Sequence, residues 1–446
     1  MTKHMNMTEL VALIEGMGRR LAQSLLQSRL AEDPRTCPAS PTCRCCGGKL
    51  RLQEKDQKRV IQTALGDIEY RRAYGVCDRC GHTGAPLDEA LGIPPFGPSV
   101  ETRKKICHAA VVGRSFEAGR EILQVHSNVD LSAKHVRWIA GTEGGRVRKE
   151  RDQERTSYQA GARLAPTTDA PRLLVIAADG GRVQTRSADP KERWKEDKIG
   201  IVYDATATPQ PHVPRGEYEG AKAKTKTYVA TLADWEAMGW LLRVEAERRG
   251  YARAEDRLFV ADGARSIREL KNLHFPEATF ILDWAHAAQH LSDCAKAAFG
   301  EGTPDAFRWY EGHTELLWNG KSDRIIADLR HLSDRLGPPT ETDLATSPRR
   351  ILHQNATAYF PNNSAAMDYP RFRANGWPIG SGVAEGAVKQ FGLRMKGSEK
   401  FWNGFQPTET QSSRQTGAEE MLALCALYYS DDGRWDRHWH RRAQPR

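Results

Sequence analysis

Apolar residues recur at helical spacing, with no breaker, along "TELVALIEGMGRRLAQSLLQSRLA" (8–31), which predicts an amphipathic N-terminal helix. From 35 to 95 the pattern changes to short β-prone pieces, among them "RVIQTALGDIEYRRAYGV", set between cysteine pairs. Helical spacing returns over 101–140, and 144–171 reads as a charged helix end running into a loose linker. Beyond it, β segments within 172–204, at 257–261 and at 278–282 alternate with a helix over 232–249. That alternation predicts an α/β domain with parallel strands. Residues 284–358 are helical almost throughout, and no internal repeat or low-complexity tract interrupts the chain. The divisions that follow are a helix (1–34), a cysteine-bearing β module (35–98), a helical module (99–158), a linker (159–171) and an α/β domain. The last of these starts over 172–284, is interrupted by helices over 285–374 and closes over 375–446.

The length, 446 residues, is enough for two or three domains. Lys plus Arg number 66 against 57 Asp plus Glu, a net charge of +9, which favours an anionic macromolecular partner. The longest apolar stretches, "LLVIAA" (173–178) and "MLALCALYY" (421–429), are too short to span a bilayer, so no membrane association is expected. "MTKHMNMTEL" lacks the apolar core of a signal peptide, and the expected location is the cytoplasm. Thiols stay reduced there, so the nine cysteines need an explanation other than disulfides.

Spacing supplies one. Cys43-x2-Cys46 is followed by Gly47 and Cys77-x2-Cys80 by Gly81, two knuckles separated by 30 residues of β-prone chain. That layout suits one structural zinc ion in a tetrahedral four-cysteine ribbon. Cys37 and Cys45 stand close enough to replace a neighbour as ligand, whereas Cys107, Cys294 and Cys425 lie alone in helical segments as small core residues. After the ribbon, Ser115 and Ser132 are placed to cap two consecutive helices. Such a pair is either a packed hairpin or a helix-turn-helix whose second helix turns Lys134, His135 and Arg137 toward DNA.

Acidic chemistry is concentrated in the α/β domain. "LLVIAADGGR" (173–182) and "RLFVADGARS" (257–266) each end an apolar run with Ala-Asp-Gly. Asp179 and Asp262 then stand where α/β sheets place their sites, and side by side they would hold divalent cations. The plain alternative is a pair of Asp-Gly turns. In "NGWPIGSGVAEGAVKQFGLRMKG" (375–397) a turn leads into a helix carrying Glu385, with Lys389 at i+4 and Arg394 and Lys396 continuing a basic run suited to phosphates. Alternatively, Glu385 and Lys389 form a solvated pair. In "ILDWAHAAQHL" (281–291) Asp283 is placed to cap a helix, and His286 and His290 share a face as a possible metal pair. His286 would otherwise contact a phosphate or a leaving group. Trp284 and Trp377, beside the acidic motifs, suit either the core or stacking on an unpaired base.

Together, "CRCCGGKL", "LGDIEYRRAYGVCDRCGHTGAPLDEALGIP", "AADGGRVQTR", "RWKEDKIGIVYD", "VADGARSIREL", "ILDWAHAAQHL", "WPIGSGVAEGAVKQFGLRMKGSEKFWN" and "GAEEMLAL" occur in the order found in another group of proteins. From about residue 43 onward the chain resembles the DDE transposases of bacterial insertion sequences, most closely the ISKra type, related to Mutator-like enzymes. The resemblance implies a ribonuclease H-like core with a helical insertion. It makes Asp179, Asp262 and Glu385 the catalytic triad holding two Mg2+ or Mn2+ ions, and Asp283 and His286 an accessory D-x-x-H motif. The implied partners are the double-stranded terminal repeats of an element, its target DNA, and further copies of the chain. The implied activity is DNA strand cleavage and transfer; a DNA-binding protein without catalysis is the alternative. One departure from the family pattern is the polar segment 404–416, expected as an exposed loop.

Overall fold

The computed structural model describes residues 5–166, 170–187, 189–191, 193–403 and 417–445. They divide into two compact units, residues 5–144 with 433–445 and residues 145–403 with 417–432. The division falls at Gly144–Gly145, inside a helix, and not in the linker expected over 159–171. Segment 404–416 lies outside the described residues.

In the first unit, α1 (Met7–Ala31) begins with a closed capping box: the Asn6 side chain accepts from the Glu9 amide, and Glu9 accepts from the Asn6 amide. Leu26 and Leu30, in its last turns, pack into a small core with Ile61, Ile68, Tyr70 and Leu87. That core lies on an antiparallel hairpin of β1 (Leu50–Thr63) and β2 (Gly66–Cys77), to which β3 (Thr83–Gly84) adds. Gly66 closes the hairpin at φ 112°, a conformation L side chains rarely adopt. In α2 (Pro86–Ala90), buried Asp88 accepts from Tyr70 Oη at 2.6 Å and forms ion pairs with Arg72, 2.9 Å away, and with Arg59. These donors replace the water that a buried carboxylate loses.

Next come α3 (Val100–Val112), α4 (Phe116–Ser127) and α5 (Ala133–Gln159). Ser115 caps α4 by accepting from the Ala118 amide at 3.0 Å, and Ser132 accepts from the His135 amide at 3.3 Å ahead of α5. Between them Asn128 takes a left-handed conformation (φ 49°) that ends α4. The second helix of this pair runs for 27 residues, so it leaves the helical module instead of stopping as a short recognition helix.

The second unit is built on a five-stranded sheet. Its strands are β4 (Leu173–Gln184), β5 (Trp194–Thr206), β6 (Lys222–Thr231), β7 (Asp256–Ala261) and β8 (Thr279–Leu282), in the order β6-β5-β4-β7-β8. β4, β5 and β6 form an antiparallel meander, and β7 and β8 extend it in parallel from β4. The sheet is therefore mixed: the expected parallel strands are β4, β7 and β8, and β5 and β6 add to them antiparallel. Leu174, Ile176 and Ala178 face a core shared with α6 (Trp235–Arg248) and α7 (Arg265–His274), including Met238, Leu242, Ile267 and Leu270. After β8 the helical stretch runs through α8 (Trp284–Phe299), α9 (Pro304–Trp318), α10 (Ser322–Leu336), α11 (Pro348–Gln354), α12 (Phe360–Asn363) and α13 (Tyr369–Ala374). The chain then returns to the sheet with α14 (Gly382–Met395), which packs on β4 and β5, and α15 (Ala418–Tyr429), which packs on β6. The last helix, α16 (Arg434–Ala443), belongs to the first unit and packs on α3.

Buried ion pairs explain why α5 does not end with its module. Arg148 pairs with Glu420 at 3.0 Å, and Arg151 with Glu419 at 3.0 Å, tying the second half of the helix to α15. Glu419, 2 % exposed, also accepts from Thr231 Oγ1 and the Leu232 amide, both at 2.7 Å. Truncating it leaves two buried donors unanswered and Arg151 with Asp152 left as its acidic partner. Glu419→Ala is predicted to cost about 3–5 kcal/mol in urea unfolding; a cost below about 1 kcal/mol would place that network at the surface.

Candidate metal centre and acidic site

The two cysteine knuckles are brought together by strand register. β1 starts after the first knuckle and β2 ends at the second, and Leu50 pairs with Cys77 across the ladder. The two turns are built alike. Gly47 N donates to Cys43 O at 2.8 Å and Gly81 N to Cys77 O at 2.9 Å, with both glycines left-handed at φ 69° and 71°. Cys43, Cys46, Cys77 and Cys80 converge, their sulfur atoms all within 4.8 Å of one another.

Sγ–Sγ distances are 3.6 Å for Cys43–Cys80 and 3.5 Å for Cys46–Cys77. Sulfurs about 2.3 Å from a tetrahedral ion stand roughly 3.8 Å apart, so the four residues fit a metal such as zinc. Backbone amides of Cys80 and Arg79 donate to Cys77 and outweigh burial, bringing its thiol down to about 6, whereas at Cys46 and Cys80 the backbone amides are outweighed by burial and neighbouring sulfurs, which push those thiols up. Cys37 and Cys45 are exposed and stand outside the cluster; Cys107, Cys294 and Cys425 are buried and serve packing.

Asp179 does not close its strand. β4 continues to Gln184 because β5 pairs with it along its whole length, Asp179 opposite Ile199. Parallel pairing with β7, however, stops at Ala177–Val260. Two residues beyond that pair stand Asp179, still within β4, and Asp262, just past the end of β7, close enough for the charge of Asp262 to act on Asp179. Asp179 Oδ1 accepts from the Gly180 amide at 2.7 Å, and Asp262 Oδ1 from the Ala264 amide at 2.9 Å. Burial raises the Asp179 pKa, and the charges of Asp262 and Glu385 push the same way against the Gly180 amide and His286. The three carboxylates expected from the sequence thus sense one another.

The tightest group lies beside them: Asp283, His286 and Glu385 offer ligand atoms all within 4.8 Å. Asp283, 1 % exposed, caps α8 by accepting from the His286 amide at 2.8 Å, and its other oxygen accepts from the Ser381 amide. Burial pushes its carboxyl up, but these bonds and the imidazole overcome it and hold the pKa at about 2. His286 Nδ1 lies 3.1 Å from Asp283 Oδ1, which raises the His286 pKa against the opposing effect of burial. The Ser381 contact immediately precedes α14, so Asp283 fixes the point from which Glu385 enters.

His290 is not part of this group. It meets Asn355 Oδ1 at 2.8 Å and stacks on Tyr359, ring centroids 3.5 Å apart. Both partners come from a π-helical turn (Asn355–Tyr359), and Tyr359 Oη donates to the Asp262 carbonyl at 3.3 Å. Helical periodicity alone does not reveal this support, because the wide turn breaks the 3.6-residue spacing.

Among the expected phosphate contacts, Lys134, Lys389 and Lys396 are exposed and Arg137 is half-buried. Lys389 Nζ stands 3.8 Å from Glu385. Arg394 requires a correction: it is 2 % exposed and lies over the Trp402 ring at 5.1 Å. Three residues after buried Phe391, it falls on the inner face of α14 and cannot meet a phosphate at the surface. Trp377 is buried against Phe372, and Trp284 packs on Trp318 and Tyr369.

A mixed α/β chain with a four-cysteine cluster and a carboxylate-rich sheet face is the class these features define. The chain belongs to the uncharacterised protein family UPF0236, which matches residues 1–298. No curated protein matches it. Among the described residues, no helix is long and apolar enough to cross a membrane.

Metal analysis of the purified chain is predicted to give about one zinc, and Cys43→Ser or Cys77→Ser to abolish it. Full zinc content in either variant would remove that residue from the cluster.

Proposed function

We propose that the protein is a DDE transposase that cleaves and joins DNA at the ends of an insertion sequence, with a ribonuclease H-like core. The observation that carries this reading is the β4–β7 register, which sets Asp179 and Asp262 together while Glu385 approaches from α14. An antiparallel meander extended by parallel strands, with a helical stretch before the glutamate's helix, supports the same core.

The residues suit divalent cations. Asp179 is held protonation-prone by burial and neighbouring negative charge, a repulsion that cations relieve. Bound there, Mg2+ or Mn2+ would make water or a 3' hydroxyl a stronger nucleophile and steady the leaving oxygen. Asp179 and Asp262 present oxygens from rigid adjacent strands, and Glu385 adds a third side chain from the first turn of α14. His286, its proton favoured by Asp283, is placed to donate to a phosphate oxygen or leaving group. Lys389 and Lys396 supply positive charge to the DNA backbone, as Lys134 and Arg137 do from the helical module. The four-cysteine ribbon serves as scaffold for that module's unit.

With DNA carrying the terminal repeats of its own element and Mg2+ or Mn2+, the protein is predicted to nick and join strands. Asp179→Ala, Asp262→Ala and Glu385→Ala should each lower the rate by about 10⁴-fold while DNA affinity stays unchanged. Tight binding without any nicking by the wild type would favour the DNA-binding alternative, and nicking without joined products would favour a nuclease.

A further inference from the structure

We propose that Asp197 is a positioning residue that holds the Lys396 ammonium beside the acidic site through a gap left by Gly181; the phosphate-binding role of Lys396 rests on the function proposed above. Asp197 lies on β5 opposite Gly181 of β4, and is 0 % exposed. Neither of its carboxylate oxygens has a hydrogen-bond partner. A carboxylate so buried is costly unless a cation answers it. Strand alternation puts Asp197 and Gly181 on the sheet face that carries Asp179, opposite the face of Leu174, Ile176 and Ala178.

The answering charge comes from the end of α14, which packs on that face. A Cβ at Gly181 would stand 2.6 Å from Asp197 Oδ1 and 2.8 Å from Lys396 Nζ. The missing side chain leaves a slot toward which both charged groups extend, without a direct ion pair within 4.0 Å between them. Burial raises the Asp197 pKa on balance; Lys396 is the leading charge working against it, with Lys198 assisting and Glu196 adding to burial. Lys198, on the adjacent residue, points to the other face, where it pairs with Glu196 at 3.1 Å and covers the Trp235 ring. Sequence reading passes over Asp197 because "KEDKIG" looks like a solvated charge run.

The arrangement explains how a lysine on an exposed segment can be held near the carboxylates. Asp197 gives the ammonium a fixed inner counter-charge and leaves its remaining donors for a phosphate oxygen.

Two measurements test this. In the DNA-free protein, the acetylation rate of Lys396, read by mass spectrometry, is expected to rise severalfold in Asp197→Asn, where the amine loses its inner counter-charge. Gly181→Ala, which wedges the slot, should do the same, while Lys389 reacts at its wild-type rate in both. An unchanged Lys396 rate, or an equal rise at Lys389, overturns the pairing. On terminal-repeat DNA, Lys396→Ala and Asp197→Asn should each reduce the slope of log affinity against log salt by about 0.9, one phosphate contact, and the double variant by no more. Additive losses overturn the positioning role. Failure of the wild type to bind DNA contradicts the proposed function instead, and the acetylation result still decides the Asp197–Lys396 pair.

Discussion

Once Ala177 pairs with Val260 in parallel, the next acidic residues on β4 and β7 have no freedom to separate. Asp179 stays within β4 and Asp262 directly follows β7, and each accepts from a nearby backbone amide, that of Gly180 and that of Ala264. β4 is held by β5 along this stretch, so the Asp179 backbone is fixed where the charge of Asp262 acts on its carboxylate. Burial raises the Asp179 pKa, the charges of Asp262 and Glu385 add to it, and positive charge brought in from outside relieves both. The rest of the acidic face follows from that constraint.

Asp283 carries the constraint to the third carboxylate. It sits where β8 becomes α8, buried and ionised, and spends one oxygen on its own helix cap and the other on the Ser381 amide ahead of α14. One side chain thereby couples the parallel strands to the helix of Glu385 and orients His286. The helical stretch between them contributes the Tyr359 contact to the Asp262 backbone, so the insertion braces the site as well as separating its parts in sequence. In the other unit, hairpin register performs the same service for the cysteines, where Leu50 opposite Cys77 seats two remote knuckles together.

Much of this was legible before any coordinates, for physical reasons. The cysteine knuckles announce themselves because a metal demands x2 spacing and a glycine that tolerates positive φ. The strands with Ala-Asp-Gly stand out because burial on both faces requires continuous apolar runs. Reading failed where a linear pattern hid a face. Arg394 looked like part of a basic run, yet helical geometry turns it inward onto Trp402. The strand β6 was missed because Lys222–Thr231 carries no signal beyond its own composition and pairs antiparallel with β5. The π-helical turn at Asn355–Tyr359 has no periodic signature, and the length of α5 depends on Arg148 and Arg151 meeting partners some 270 residues away.

The most direct test is Mn2+ binding to the zinc-loaded chain without DNA, followed by calorimetry or electron paramagnetic resonance. If Asp179, Asp262 and Glu385 form one cation-holding unit, the wild type binds Mn2+, and Asp179→Asn, Asp262→Asn or Glu385→Gln each weakens binding by at least about tenfold. Equal Mn2+ binding by the wild type and all three variants, or no binding by any of them, would contradict it.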